Sequence, residues 1–365
     1  MNKVLIIGPF PEPISGVSLA NKVVKEVLDT SNDFQTDFIN TSYPFFEDSI
    51  GSFSFKKTFF FLGLNFKALK IFKNNIIYIT PGQTFFGITK YTVFILIASF
   101  LKKELIIHVH GNYLGTYYQQ LKGLKKKIFY FLVSRFTKGI VLSSSLKSNL
   151  SPFLDKNKIF VVHNFAEDYL YKSSKENINN ELRITYLSNL MEEKGIFYLL
   201  ETLKELEKRD IPYSAKIAGN IDKNLRETIT KKINSLKNTT YLGVVYKQDK
   251  KELLEWSNIF ILPTFYRMEG QPISILEALA TQNVIITTNH AGIPDIIKSE
   301  INGYIVKAKS SESILESILF LNKNKSKIDE IKKANKKYFI ENFTLKKFSK
   351  EIIKIINVNT KIKYI

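Results

Sequence analysis

Ile259-Phe260-Ile261-Leu262-Pro263-Thr264-Phe265-Tyr266-Arg267-Met268-Glu269-Gly270-Gln271-Pro272-Ile273-Ser274-Ile275-Leu276-Glu277-Ala278-Leu279-Ala280 is the stretch on which the reading of this chain turns. A short apolar run ending at Pro263 reads as a buried strand. A loop carrying a carboxylate and then a glycine follows. Pro272, a favoured first-turn residue, opens a helix over Ile273–Thr281 that carries a second carboxylate eight positions after the first. The free backbone N–H groups around Gly270 to Ile273 suit a phosphate or sugar hydroxyls. Glu269 and Glu277 are placed to straddle one ligand.

Outward from this unit the same alternation repeats. Candidate strands are Lys3–Ile7, Asp37–Asn40, Ile76–Thr80, Leu105–His110, Gly139–Ser143 and Ile159–His163. A second series is Arg183–Leu187, Tyr213–Ala218, Thr240–Leu242, Ile259–Pro263, Val284–Thr288 and Gly303–Val306. Helical stretches between them imply two parallel, doubly wound α/β domains of Rossmann-like type. We place the first at 1–165 and the second at 181–344, with a polar linker over 165–180. The amphipathic C-terminal helix within 345–365 shows Leu345, Phe348, Ile352 and Ile355 or Ile356 on one side. Ligands bind outside the carboxyl ends of such strands, so two facing sheets share one cleft.

Composition narrows the class. The 365 residues are 44% hydrophobic and 13% aromatic, enough for two cores. With no cysteine, disulfides, thiol nucleophiles and thiolate metal sites are excluded, which fits a cytoplasmic setting. The N-terminal apolar run is too short for a signal peptide. The longest apolar run, Tyr91 to Leu101, is half a bilayer span. Between Phe53 and Lys158 stand 17 basic residues and only two acids, Glu104 and Asp155, amid many phenylalanines. That mixture suits an anionic membrane surface or a phosphorylated lipid; it equally suits a solvated lysine surface. Nucleic acid is the third reading, but no recognisable nucleic-acid module occurs.

The segment Glu269–Ala280 resembles the Glu, seven residues, Glu signature of retaining glycosyltransferases of family 4. The resemblance implies the GT-B fold, with the C-terminal helix returning to the first domain. It further implies that Glu269 contacts the donor sugar near its reacting carbon and that Glu277 holds the nucleotide ribose hydroxyls. Gly270, Gln271, Ile273 and Leu276 are implied as donor contacts, with Val244 in the base pocket. Ser15 and Gly16, in Pro11-Glu12-Pro13-Ile14-Ser15-Gly16-Val17, resemble the family's phosphate or acceptor loop. His110, followed by Gly111, resembles the histidine that points at the donor sugar. We read His108 as lying on the opposite strand face and, with His163 and His290, as structural. Lys194-Gly195 matches the family's diphosphate-neutralising Lys-Gly. Ser188 and Asn189 replace its usual Gly-Arg, so Asn189 offers a hydrogen bond without charge, and Arg267 is the candidate to compensate.

No Asp-x-Asp occurs and the four histidines are scattered, so no metal or cofactor is expected. A nucleotide diphosphate-sugar serves as co-substrate. The expected reaction moves a hexosyl group, with retention, to a hydroxyl of a lipid-linked saccharide during assembly of capsule, lipopolysaccharide or similar surface polysaccharide. The protein is expected in the cytoplasm, peripheral on the inner membrane face. A sugar-nucleotide epimerase, a phosphorylase or a non-catalytic sugar-nucleotide-binding protein on the same frame stay open as alternatives.

Overall fold

Among the described residues the apolar runs form twelve short strands, seven residues at most, in two six-stranded sheets whose pairings are all parallel. The computed structural model describes residues 1–12, 15–43, 55–172 and 181–358. The chain divides into two units, one of Met1–His163 with Phe348–Ile365 and the other of Asn164–Lys347.

In the first unit the order along the chain is β1 (Asn2–Gly8), α1 (Gly16–Asp29), β2 (Phe34–Asn40), α2 (Phe55–Leu64), β3 (Ile76–Ile79), α3 (Phe85–Thr89) and α4 (Thr92–Phe100). Then come β4 (Glu104–Val109), α5 (Leu114–Gln120), α6 (Gly123–Val133), β5 (Lys138–Val141) and β6 (Ile159–Val161). Strand order is β2-β1-β3-β4-β5-β6. Both faces of β1, β3 and β4 are covered, so their buried residues run on continuously, mostly Val, Leu and Ile with Tyr78 and His108 among them, rather than alternating.

The second unit runs β7 (Leu182–Leu187), α7 (Ile196–Lys208), β8 (Tyr213–Ala218), α8 (Arg226–Asn234), β9 (Thr239–Tyr241), α9 (Lys247–Trp256) and β10 (Ile259–Leu262). It continues with α10 (Ile273–Ala280), β11 (Val284–Thr288), β12 (Gly303–Val306), α11 (Ser311–Lys323) and α12 (Lys325–Asn342). Strand order is β12-β11-β10-β7-β8-β9. Helices α7 and α11 pack together, as do α10 and α12. One core joins their apolar stripes to the strands.

The last helix, α13 (Leu345–Asn357), buries Phe348, Ile352, Ile355 and Ile356, and from Phe348 on it belongs to the first unit. Lys138, which has no exposed surface, fixes its end: Nζ donates to the Ile355 carbonyl at 2.8 Å and also to that of Val358, while pairing with Glu104. An ammonium at a helix C-terminus meets both the open carbonyls and the dipole.

The stretch read as a linker is structured over its first part. Phe165, Ala166 and Leu170 are buried, and Ala166 bridges to Thr344. The polar composition masked a few apolar anchors that suffice to dock the segment. Residues 173–180 of the stretch lie outside the described residues.

Phe59, Phe66, Leu69, Phe86, Phe100 and Leu124 of the first unit are each more than 70% exposed. They sit on α2, the 3-10 segment Asn65–Lys73, α3, α4 and α6. The crossovers from β2 to β3, β3 to β4 and β4 to β5 run in one direction, so right-handedness puts them on one face of the sheet. Neighbouring contacts join α2 to the 3-10 segment, that segment to α4, and α6 to both α3 and α4. Lys67, Lys73, Lys102, Lys122, Lys125 and Lys127 are exposed on or beside the same elements.

Candidate functional site

The second sheet reverses its winding between β7 and β10, which lie side by side. Connections leave these strands in opposite directions, opening a crevice at their carboxyl ends where ligands bind in such sheets. The loop after β7 carries Lys194 and the loop after β10 carries Glu269.

Gly195 explains how the two loops meet. Its φ is +82°, and a Cβ there would collide with the Pro263 carbonyl oxygen and lie 2.6 Å from Pro263 Cγ. Only glycine lets the start of α7 approach the end of β10 this closely. Phe265 N donates to the Glu193 carbonyl at 2.8 Å, and Thr264 Oγ1 donates to the same oxygen at 3.3 Å. So held, Lys194 Nζ reaches Glu269 Oε2 at 2.5 Å. Thr264 Oγ1 lies 3.3 Å from that carboxylate oxygen, and the Tyr266 ring centroid is 5.2 Å from the ammonium. Glu269 is 8% exposed, so the pair is desolvated and its members depend on each other. Burial raises the Tyr266 phenol above its ordinary range, with Glu193 and Glu269 adding to the effect.

From the other side, the loop after β11 supports the same turn. Thr288 Oγ1 donates to the Thr264 carbonyl, His290 Nε2 lies 2.8 Å from the Tyr266 carbonyl, and Gly292 N donates to the Gly270 carbonyl at 2.9 Å. This accounts for His290 as a structural residue.

Glu277 projects from α10 and is 5% exposed. Its Oε1 is engaged by Lys250 Nζ from α9. No motif marks Lys250 in the sequence, and only the approach of α9 to α10 reveals it. Tyr169 lies against the same ammonium, and Glu167 adds charge to its surroundings. Burial opposes the Lys250 charge, yet Glu277, Tyr169 and Glu167 together hold its pKa above the ordinary lysine value.

The other expected donor contacts divide. Asn189 is exposed on the β7 loop, Val244 is exposed just before α9, and Ile273 is half-buried at the start of α10. Gly270 is buried behind Glu269. Leu276 has no exposed surface and is a core residue, because the inward stripe of α10 is Ile275, Leu276 and Leu279. Gln271 is buried and clasps the first residue of this unit. Its Oε1 accepts from Asn164 N at 2.7 Å, and its carbonyl accepts from Asn164 Nδ2 at 2.9 Å.

In the first unit, Ser15 caps α1: its hydroxyl accepts from Ser18 N at 3.1 Å, and Ser15 N donates to the Ser18 hydroxyl at 2.8 Å. Gly16 is exposed at the first turn. Residues 13 and 14 of that loop lie outside the described residues. His108 and His110 share one strand face, not opposite faces, and their ring centroids are 4.0 Å apart. Side chains two apart in a strand point the same way. His108 is wholly buried with Nδ1 bonded to Tyr78 Oη, while His110 is half-buried with Nε2 sequestered and unpartnered. Burial pushes the His110 pKa down to about 4, and burial followed by its neighbour His110 pushes His108 well below the ordinary value. Both rings are neutral at pH 7.

Among the described residues, no three histidine or carboxylate side chains gather into a set able to hold a metal ion. No helix among them is long and apolar enough to cross a membrane.

Residues 170–338, within the second unit, match the family model "Glycosyl transferases group 1". An uncharacterized glycosyltransferase of Methanocaldococcus jannaschii is 26% identical over 272 residues, 70% of this chain and 68% of that protein. The UDP-Gal:alpha-D-GlcNAc-diphosphoundecaprenol alpha-1,3-galactosyltransferase of Escherichia coli is 26% identical over 181 residues, 46% of each chain. For that enzyme the match thus spans about half its length. In fold, the chain is similar to Anabaena HepE, solved in complex with UDP, at a TM-score of 0.75, with 14% identity and coverage of 97% and 99% of the two chains. The architecture is the GT-B fold of two Rossmann-like α/β domains, and the second unit is similar to group 1 glycosyl transferases.

Proposed function

We propose that the protein transfers a hexosyl group from a nucleoside diphosphate donor, with retention of configuration, to a hydroxyl of a lipid-linked saccharide. The observation that carries this reading is the desolvated Lys194–Glu269 pair at the switch point of the second sheet. Transfer develops positive charge on the sugar and negative charge on the departing diphosphate. An ammonium and a carboxylate side by side answer both needs. On donor binding, the diphosphate takes over Lys194, aided by backbone N–H groups at the start of α10, with no metal. Glu269 is thereby released towards the sugar, and Glu277 accepts from the ribose diol. Arg267, exposed near Glu269, is the candidate for the charge that Asn189 lacks; unchanged donor affinity in Arg267→Ala removes it.

In the first unit, His110 is proposed as a hydrogen-bonding group for a sugar hydroxyl. A neutral imidazole offers one donor and one acceptor. HepE was solved with UDP, and the Escherichia coli relative is a galactosyltransferase named for UDP-Gal and alpha-D-GlcNAc-diphosphoundecaprenol, which supports the donor and acceptor classes chosen here.

The exposed aromatic and lysine face of the first unit is proposed to rest on an anionic bilayer, the place where a lipid-linked acceptor is presented. Phenylalanines enter the interface and lysines reach phosphates. The protein then works in the cytoplasm on the inner membrane face. Two measurements test the whole. Nucleotide release from a panel of sugar donors must depend on added lipid-linked acceptor and vanish in Glu269→Ala. Co-sedimentation with anionic vesicles must exceed that with neutral ones and fall in Phe66→Ser/Phe100→Ser. Donor turnover without any acceptor would instead indicate an epimerase or hydrolase.

A further inference from the structure

We propose that Lys250 is a positioning residue for ribose selection, holding Glu277 so that this site takes ribonucleotide and rejects 2′-deoxyribonucleotide donors. The inference rests on the reading of Glu277 as the ribose contact. The side chains of Glu277 and Lys250 are 7% and 17% exposed, and the ammonium occupies Oε1. Oε2 is the oxygen left to accept from a diol. An ionised carboxylate is expensive to bury unless paired, and this one is paired from α9, an element carrying none of the recognised motif. The groups facing the pair are Tyr169 and Glu167. Both add negative or acceptor character around Lys250, so this ammonium is the cation that holds Glu277 in place among them. A charged acceptor distinguishes a ribose from a 2′-deoxyribose by an added charge-assisted hydrogen bond. A carboxylate free to turn away from the diol distinguishes them far less.

The test uses the full chain and calorimetric titration with UDP, GDP, ADP and CDP, each beside its 2′-deoxy form. The readout is the ratio of the two affinities, in which the titration of the phosphates cancels. The wild type is expected to prefer the ribo form by about tenfold or more. In Lys250→Met the ratio is expected to collapse towards one, because Glu277 loses the partner that occupies Oε1 and leaves Oε2 facing the diol. Lys250→Arg restores the wild-type ratio. A structural or phosphate-binding lysine would instead weaken both forms alike and leave the ratio untouched, which overturns the proposal. If the wild type binds neither form, or both equally, the ribose reading of Glu277 fails and this inference with it. If Glu277→Gln abolishes the preference while Lys250→Met keeps it, that reading stands and the role of Lys250 alone falls.

Discussion

Asn164 N donates to Gln271 Oε1 at 2.7 Å, so the first residue of the second unit is clasped by the loop that carries Glu269. Both residues are buried, and the return bond from Asn164 Nδ2 to the Gln271 carbonyl makes the clasp two-pronged. The point where the chain enters this unit and the turn that bears the principal carboxylate therefore form one piece.

Replacing Gln271 by Leu leaves a buried amide without its acceptor, a loss of about 1–3 kcal/mol. Hydrogen exchange at the Asn164 amide should accelerate more than tenfold, and donor KM should rise as the Glu269 turn loosens. Unaltered protection at Asn164 would show the clasp to be incidental.

Gly195→Ala asks a side chain to sit at φ +82° against Pro263. The second unit should lose about 1–3 kcal/mol, and turnover should fall further than stability, since Lys194 moves with the turn. Urea melts and steady-state kinetics on the same preparation separate the two; equal stability to wild type contradicts the packing argument.

Lys194→Met removes the cation from a desolvated carboxylate. The expected result is a drop in transfer of about 10²–10³, with Lys194→Arg recovering part of it. Combining Lys194→Met with Glu269→Gln should cost less than the sum of the single losses, because the two groups act as a pair. Additive losses would mean that they act separately.

The first unit should weaken on mild acidification. His110 has its folded pKa lowered to about 4, below the ordinary 6.5, so the unfolded chain binds protons the folded unit refuses. Stability is fully present above the ordinary value and is lost as pH falls towards the folded one. At pH 5 this amounts to about 2 kcal/mol from His110 at 1.36 kcal/mol per unit, and His108 adds in the same direction. Thermal melts at pH 7.5 and pH 5 should show the loss, and His110→Gln should flatten it. An equally steep profile in that variant would assign the effect elsewhere.

The sequence by itself determined the twelve strands, their grouping into two sheets and the carboxylates of the second unit. Each rests on a local property: an apolar run, a glycine, or a proline at a helix start. The Lys194 turn was legible for the same reason, since Lys-Gly before a helix is a short-range pattern. Tertiary structure alone decided the partners. Lys250 reaches Glu277 from 27 positions away, and Gln271 meets Asn164 from 107 positions away. Leu276 belongs to the core because α10 has neighbours covering it, which a motif does not record. The shared face of His108 and His110 follows from the two-residue period of a strand, yet their contact and their neutrality come from burial. Charges and apolar surfaces act through space, and the chain order of residues fixes only which of them are near at the start.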